Sequence, residues 1–236
     1  SGAYPLLIAA AVMLAGCEVD RVPFSRLDEG KKFVEAGDPF QAVRYFEESI
    51  TRESNTAPAA RAYLVVACDL AAQEVQQIPE ERQKYLRKRD GQLVLVGEDP
   101  TALAHLVAIL ERHDLSSESA QALLNRIGPA AVPALLDAYA RKPSEEDRIL
   151  AVLRDIGVSA VPLVAEVLVG TALAVPQKMH LVRLLGDVGG PESRALLDRL
   201  RADEAASIGV RTEAAAGLYR LGQHTEREFL LSGLDS

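Results

Sequence analysis

Few side chains in this sequence could do covalent or metal chemistry, and their spacing keeps them apart. Cys17 follows an unbroken apolar run, Leu6 to Leu14, then Ala15 and Gly16, and precedes the polar stretch Glu18-Val19-Asp20-Arg21. A thiol is the one good nucleophile in that setting, so alkylation at sulfur is the chemistry the position could undergo. Cys68 closes the apolar stretch Ala62-Tyr63-Leu64-Val65-Val66-Ala67 with no His or basic neighbour in sequence, where an inert, buried thiol is expected. His105, His113, His180 and His224 are scattered. Eight residues drift about 80° around a helix, so even His105 and His113 diverge rather than converge on a ligand. No phosphate-binding glycine loop, Gly-x-Ser-x-Gly elbow, His-Glu-x-x-His pair or Cys-x-x-Cys knot occurs. The expectation is therefore a non-enzymatic chain with no catalytic residue, metal, cofactor or small-molecule substrate.

The elements around these residues are more informative. Of 236 residues, 48% are hydrophobic, 25% charged and 5% aromatic, the composition of one or two globular domains or a short repeat array. Thirty-four acidic residues against twenty-six basic ones give a net charge of -8, which disfavours nucleic acid as a partner. There is no Trp, and six Tyr with five Phe leave few aromatic anchors for hot spots or base stacking.

Self-similarity is the strongest signal. Ile127-Gly128-Pro129-Ala130-Ala131-Val132-Pro133-Ala134-Leu135 recurs 29 residues later as Ile156-Gly157-Val158-Ser159-Ala160-Val161-Pro162-Leu163-Val164. Weaker copies stand at Val188-Gly189, Leu221-Gly222 and Val96-Gly97, so the glycines are 31, 29, 32 and 33 residues apart. Before three of them, apolar residues fall on one helix face: Ala120, Leu123, Leu124, Ile127; Ile149, Val152, Leu153, Ile156; Leu181, Leu184, Leu185, Val188. Ala214, Gly217, Leu218 and Leu221 fill the same slots more weakly. Each glycine is expected to close its helix in a left-handed cap, with Pro133 or Pro162 in the first turn of the next helix. That helix repeats the pattern, as in Val132, Leu135, Leu136, Tyr139 and Val161, Val164, Ala165, Leu168. Two short helices per unit, neither able to bury its face alone, must stack. After Gly222 one further helix fits, with Phe229 and Leu230 facing inward as a cap.

This pattern over residues 97 to 236 resembles HEAT-like repeats of the short kind found in phycobilin lyases and bacterial scaffold proteins. The first unit is irregular, its Leu103, Leu106, Val107 and Leu110 displaced by two positions from the Val132 register. Residues 91–236 form the expected array. Lyase chemistry ranks low, because that array has no cysteine and few aromatics to sandwich a tetrapyrrole. In HEAT-like families the second helices line the concave face. The resemblance therefore implies partner-binding residues at Asn125, Arg126, Arg154, Asp155, Arg183, Asp187, Tyr219 and Arg220. Arg126, Arg154, Arg183 and Arg220 recur near the end of each second helix, either as a ladder for acidic groups or as compensation of the helix dipole. Asp155 and Asp187, each two residues before a glycine, are expected to bond the adjoining turn.

Upstream, residues 24–90 read as a helical module. Gly30, Phe33, Gly37, Ala42, Phe46 and Ser49 resemble a single tetratricopeptide repeat over about residues 24 to 54, which needs a small residue where its helices cross and an aromatic wedge opposite. Asp38-Pro39 makes the turn. One period on, Leu64 and Gln76 replace small residues, so no regular second copy follows. An apolar helix from about Ala59 to Gln77 and a charged helix from Glu80 to Arg89 remain, the latter holding five cations in eight residues. Those cations could meet anionic headgroups or an acidic partner; the favoured expectation is a solvated helix end obeying the dipole.

Leu14-Ala15-Gly16-Cys17 after its apolar run resembles the bacterial lipobox. That resemblance implies a signal peptide over residues 1–16, diacylglycerol on Cys17, cleavage before it and acylation of the new amino terminus, with residues 17–23 as a lipidated tether. Nine apolar residues are too few to span a bilayer. Ser1 to Pro5 supply neither Met nor a positive charge, so a few residues are expected upstream. The fold class expected is all-α, a solenoid of helical hairpins. Its expected address is the cell envelope, anchored outside the cytoplasmic membrane or on the outer membrane. Its expected work is binding another protein there as scaffold or assembly factor, or else as a permanent subunit of a membrane-associated complex.

Overall fold

The computed structural model describes residues 25–112, 114–141, 146–170 and 173–223. These residues are all-helical, with no strand among them. The expected signal peptide, Cys17 and its tether, His113, His224 and the helix bearing Phe229 and Leu230 lie outside the described residues.

The first hairpin pairs α1 (Arg26–Glu35) with α2 (Pro39–Arg52). Ser25 caps α1 by accepting a hydrogen bond from the Asp28 N–H, and Asp38 caps α2 by accepting from Gln41. Gly37, at φ +75°, makes the turn between them. A Cβ on Gly30 would stand 2.4 Å from the buried Phe46 ring, so the helices cross at the small residue with the aromatic opposite, as the spacing requires. Next, α3 (Ala57–Glu74) is mostly apolar, and eleven of its residues are buried. It serves two cores: Ala60, Leu64 and Cys68 pack with Phe46, while Ala62, Val65 and Val66 join the core of the following helices. A helix with so wide an apolar surface needs such cover on both sides.

The charged helix α4 (Pro79–Glu98) does not end at Arg89. It continues nine residues further, so Arg82 to Arg89 lie mid-helix and do not sit at its C-terminal dipole. A module boundary between 90 and 91 thus falls inside α4. The Val96-Gly97 pair, read as a repeat turn, is also helical, and Gly97 lacks the positive φ of the other copies. The chain turns instead at Asp99, whose carboxylate accepts from the N–H groups of Thr101 (2.9 Å) and Ala102 (3.3 Å). Pro100 then opens α5 (Pro100–Leu110), which leaves α4 at 112°.

The remaining helices are α6 (Leu115–Ile127), α7 (Val132–Arg141), α8 (Glu146–Ile156), α9 (Val161–Gly170), α10 (Val175–Val188), α11 (Gly190–Ala202) and α12 (Ile208–Arg220). Gly128, Gly157, Gly189 and Gly222 all have positive φ, between +70° and +88°. The turns differ from a left-handed cap, since ψ is -133° at Gly128 and -159° at Gly189, a region open essentially to glycine alone. Short 3-10 turns, Gly128–Ala131 and Gly157–Ala160, carry the chain into α7 and α9.

Helix packing follows one rule. Each of α4, α6, α8 and α10 packs on the helix two places further along, ending at α12; α3, α5, α7 and α9 do the same, ending at α11. The sequence-selected faces form the core between these two layers. Leu123, Leu124, Ile149, Val152, Leu153, Leu181, Leu184, Leu185 and Leu218 are all at most 2% exposed. Burying each such side chain contributes about 1.5–3 kcal/mol before the entropy of ordering it is subtracted. Buried polar groups pair across the layer: the Tyr139 hydroxyl donates to the Gln177 carbonyl (2.9 Å), and Gln177 Nε2 returns a bond to the Tyr139 carbonyl (3.0 Å), tying α7 to α10. At the far end α10 and α12 cross backbone to backbone at Gly186 and Gly217.

Candidate partner-binding face

The second helices α6, α8, α10 and α12 bring the sequence-selected polar residues into one row, and the row is internally paired. Asn125 Nδ2 donates to Asp155 Oδ2 (2.8 Å) and Arg126 Nη2 to Asp90 Oδ1 (3.0 Å). Arg154 Nη2 donates to Asp187 Oδ2 (3.2 Å). Arg183 makes two bonds to Glu213, Nε to Oε1 (3.1 Å) and Nη2 to Oε2 (2.9 Å). Arg220 Nη2 reaches Glu213 Oε1 (3.4 Å), and its Nε lies 3.7 Å from Asp187 Oδ1. Apart from the Arg220–Glu213 contact within α12, every one of these links joins neighbouring helices of the layer. Tyr219 lies beside Arg220, partly exposed.

Three sequence readings change in detail. Arg126, Arg154 and Arg220 do stand in the last turns of their helices, but Arg183 sits mid-α10, aimed at Glu213. Asp155 and Asp187 each accept from a side chain one unit earlier in the chain, so they clamp units together. The four arginines are matched by Asp90, Asp155, Asp187 and Glu213, so the row has no net charge and offers no long-range attraction to an acidic partner. Sequence reasoning missed Asp90 and Glu213. The usable signal was opposite charge about thirty residues apart, as in Arg154–Asp187 and Arg183–Glu213, separated by 33 and 30 residues.

Glu213 is the most buried member. Burial pushes its carboxyl up, but hydrogen bonds and charge from Arg183 and then Arg220 outweigh this and hold it below the ordinary carboxylate value. Arg183 is raised by its hydrogen bond to Glu213. Upstream the row continues in Arg89, buried in α4, whose guanidinium meets Asp69 Oδ1 at 2.6 Å and Asp90 Oδ1 at 2.9 Å. Lys88 reaches Glu47 on α2 (2.5 Å) and Lys84 reaches Glu81 (3.5 Å). Part of the basic run therefore fastens α4 to its neighbours.

Between α8 and α10 a cleft of about 270 Å³ is lined by Asp147, Leu150, Arg154, His180, Arg183 and Leu184. His105 lies on α5, away from it, and burial followed by the charge of Lys31 lowers its pKa. No group of three or more His, Cys, Asp or Glu able to hold a metal occurs among the described residues. Cys68 is fully buried, and that burial pushes its thiol up to about 12, far from a reactive thiolate. No single helix among the described residues is long and apolar enough to cross a membrane. Comparison with models of known protein families, with curated proteins and with solved structures finds no match.

Proposed function

We propose that this chain is an α-solenoid, tetratricopeptide-like and then HEAT-like, that is anchored by lipid on Cys17 in a bacterial cell envelope and binds another protein there as a scaffold or assembly factor. The observation that carries the binding role is the side-by-side packing of α4, α6, α8, α10 and α12 over one continuous core. Such a layer presents a broad, preformed surface, so a partner docks on it without the cost of ordering it. The ion-pair row supports this reading by fixing the spacing of the helices. The anchor rests on the lipobox resemblance alone. Two acyl chains hold a protein at a bilayer stably, and the anchor would raise the effective concentration of the face toward envelope partners.

The test is photo-crosslinking in a bacterial host, with a photoreactive residue placed in turn at the exposed positions Ala122, Asp147 and Tyr219. A scaffold gives the same crosslinked partner from neighbouring positions, and that product falls when Cys17→Ala removes the anchor. Crosslinks scattered over abundant envelope proteins, unchanged in the variant, would overturn the reading.

A further inference from the structure

The edge of the molecule that carries the glycine turns differs from the neutral row of ion pairs. Two mainly apolar grooves open on it, beside a more polar one lined by Pro191, Arg194 and Asp198. One, of about 440 Å³, lies between the last turns of α4 and the α6–α7 turn and is lined by Asp90, Leu93, Val94, Gly97, Glu98, Arg126, Ile127 and Ala130. The other, of about 480 Å³, lies between the α8–α9 turn and the start of α11, and is lined mainly by Val158, Val161, Pro162, Gly189, Gly190 and Pro191, with Glu192 at its rim. Val94 is 61% exposed and Val158 58%, and Pro129, Pro133, Pro162 and Pro191 are exposed along the same edge. Apolar surface of this kind, rimmed by polar groups, marks binding sites more often than solvent-facing skin.

Charge selects the occupant. The cation of the first groove, Arg126, is already neutralised by Asp90, whereas Glu98 and Glu192 make no ion pair among the described residues. Glu98 is moreover the last residue of α4, where the partial negative charge of the helix end opposes it. A partner cation there would relieve that repulsion. The two grooves lie two units apart. With helices packed about 8–10 Å apart this is about 16–20 Å, the length of five or six residues of extended chain.

We propose that this edge docks an extended segment of the protein partner, one that carries two apolar side chains six residues apart, on one face of the extended chain, with a Lys or Arg two positions after each. The proposal rests on the scaffold reading and names the partner's chemistry. The valines and prolines receive the apolar side chains, and Glu98 and Glu192 receive the cations.

The experiment titrates the full chain into a fluorescein-labelled peptide with two leucines six positions apart, each followed two positions later by arginine, in a serine-rich extended sequence. The expected result is saturable binding that weakens at least tenfold in Glu98→Lys/Glu192→Lys and in Val94→Asp/Val158→Asp. Gln41→Asp, at an exposed position of α2, leaves it within about twofold, and circular dichroism shows every variant folded. Absence of saturation below about 1 mM, or equal binding by the Glu98→Lys/Glu192→Lys variant or by a peptide with arginines replaced by glutamates, overturns the proposal. Crosslinking from Ala122, Asp147 and Tyr219 decides the scaffold reading separately, so failure of the peptide leaves that result standing.

Discussion

Replacing Gly186 by alanine should loosen the last helix pair, and the size of the effect follows from the crossing. A Cβ built on Gly186 lies 2.8 Å from the Cα of Gly217 and 2.8 Å from Arg220 Nη2. The guanidinium can swing aside, but the backbone carbon cannot. Ordinary carbon contacts sit at about 3.5–4.0 Å, so α12 must move by roughly 1 Å. Overpacking of this kind costs about 1–3 kcal/mol, against about 1 kcal/mol gained from the better helix propensity of alanine. The net expectation is a loss of up to about 2 kcal/mol, or up to roughly 8 °C in Tm for a chain of this size. Gly91→Ala is the internal control, because Gly91 is helical and exposed, and a Cβ there meets nothing within 4 Å. That variant should gain about 0.5–1 kcal/mol. Thermal and urea unfolding followed by circular dichroism measure both. Equal stabilisation by the two alanines would refute the close backbone crossing and, with it, the tight stacking of α10 on α12.

Three further outcomes follow from buried positions. Gln177→Leu should lose about 1–3 kcal/mol in urea unfolding, because it strips the Tyr139 carbonyl and the Ala174 N–H of their side-chain partner; an unchanged midpoint would remove Gln177 as the tie between α7 and α10. Glu213 has a folded pKa below its ordinary 4.5, so its contribution is present above that value and is lost as pH falls through the folded pKa. Glu213→Gln should therefore flatten the acid limb of a stability–pH curve, and a curve parallel to the parent's would refute the ion pair. Cys68, with its thiol near 12, should resist iodoacetamide at pH 8 in the folded chain and react once urea unfolds it; fast labelling of the native chain would contradict its burial.

The helix faces were legible in sequence because burial and the 3.6-residue period act on the same side chains. Leu123, Ile149, Leu181 and Leu218 needed nothing beyond that period. The glycine turns were legible for a related reason, since positive φ excludes other residues. Gly97 misled because its neighbours match the repeat, whereas local helix continuity from Pro79 and the Asp99-Pro100 stop decide where the chain turns. The same continuity hid the true extent of α4, whose mixed charges looked like a helix end. The side chains paired across the row were half legible. Arg126, Arg154, Arg183 and Arg220 show by recurrence, but Asp90 and Glu213 belong to it only through stacking, which a local pattern does not encode. The grooves on the glycine-turn edge open between neighbouring turns, whose glycines and prolines the sequence showed but whose spacing depends on how the helices pack.

The claim that joins these parts is that a helical protein-binding surface is held at a membrane by Cys17. Intact mass and membrane partition of the protein expressed from its own gene in a bacterial host, beside Cys17→Ala, test it most directly. The account predicts a chain that begins at Cys17, carries diacylglyceryl mass and sediments with membranes, all three lost in the variant. An unprocessed chain that stays in the soluble fraction in both forms would contradict it.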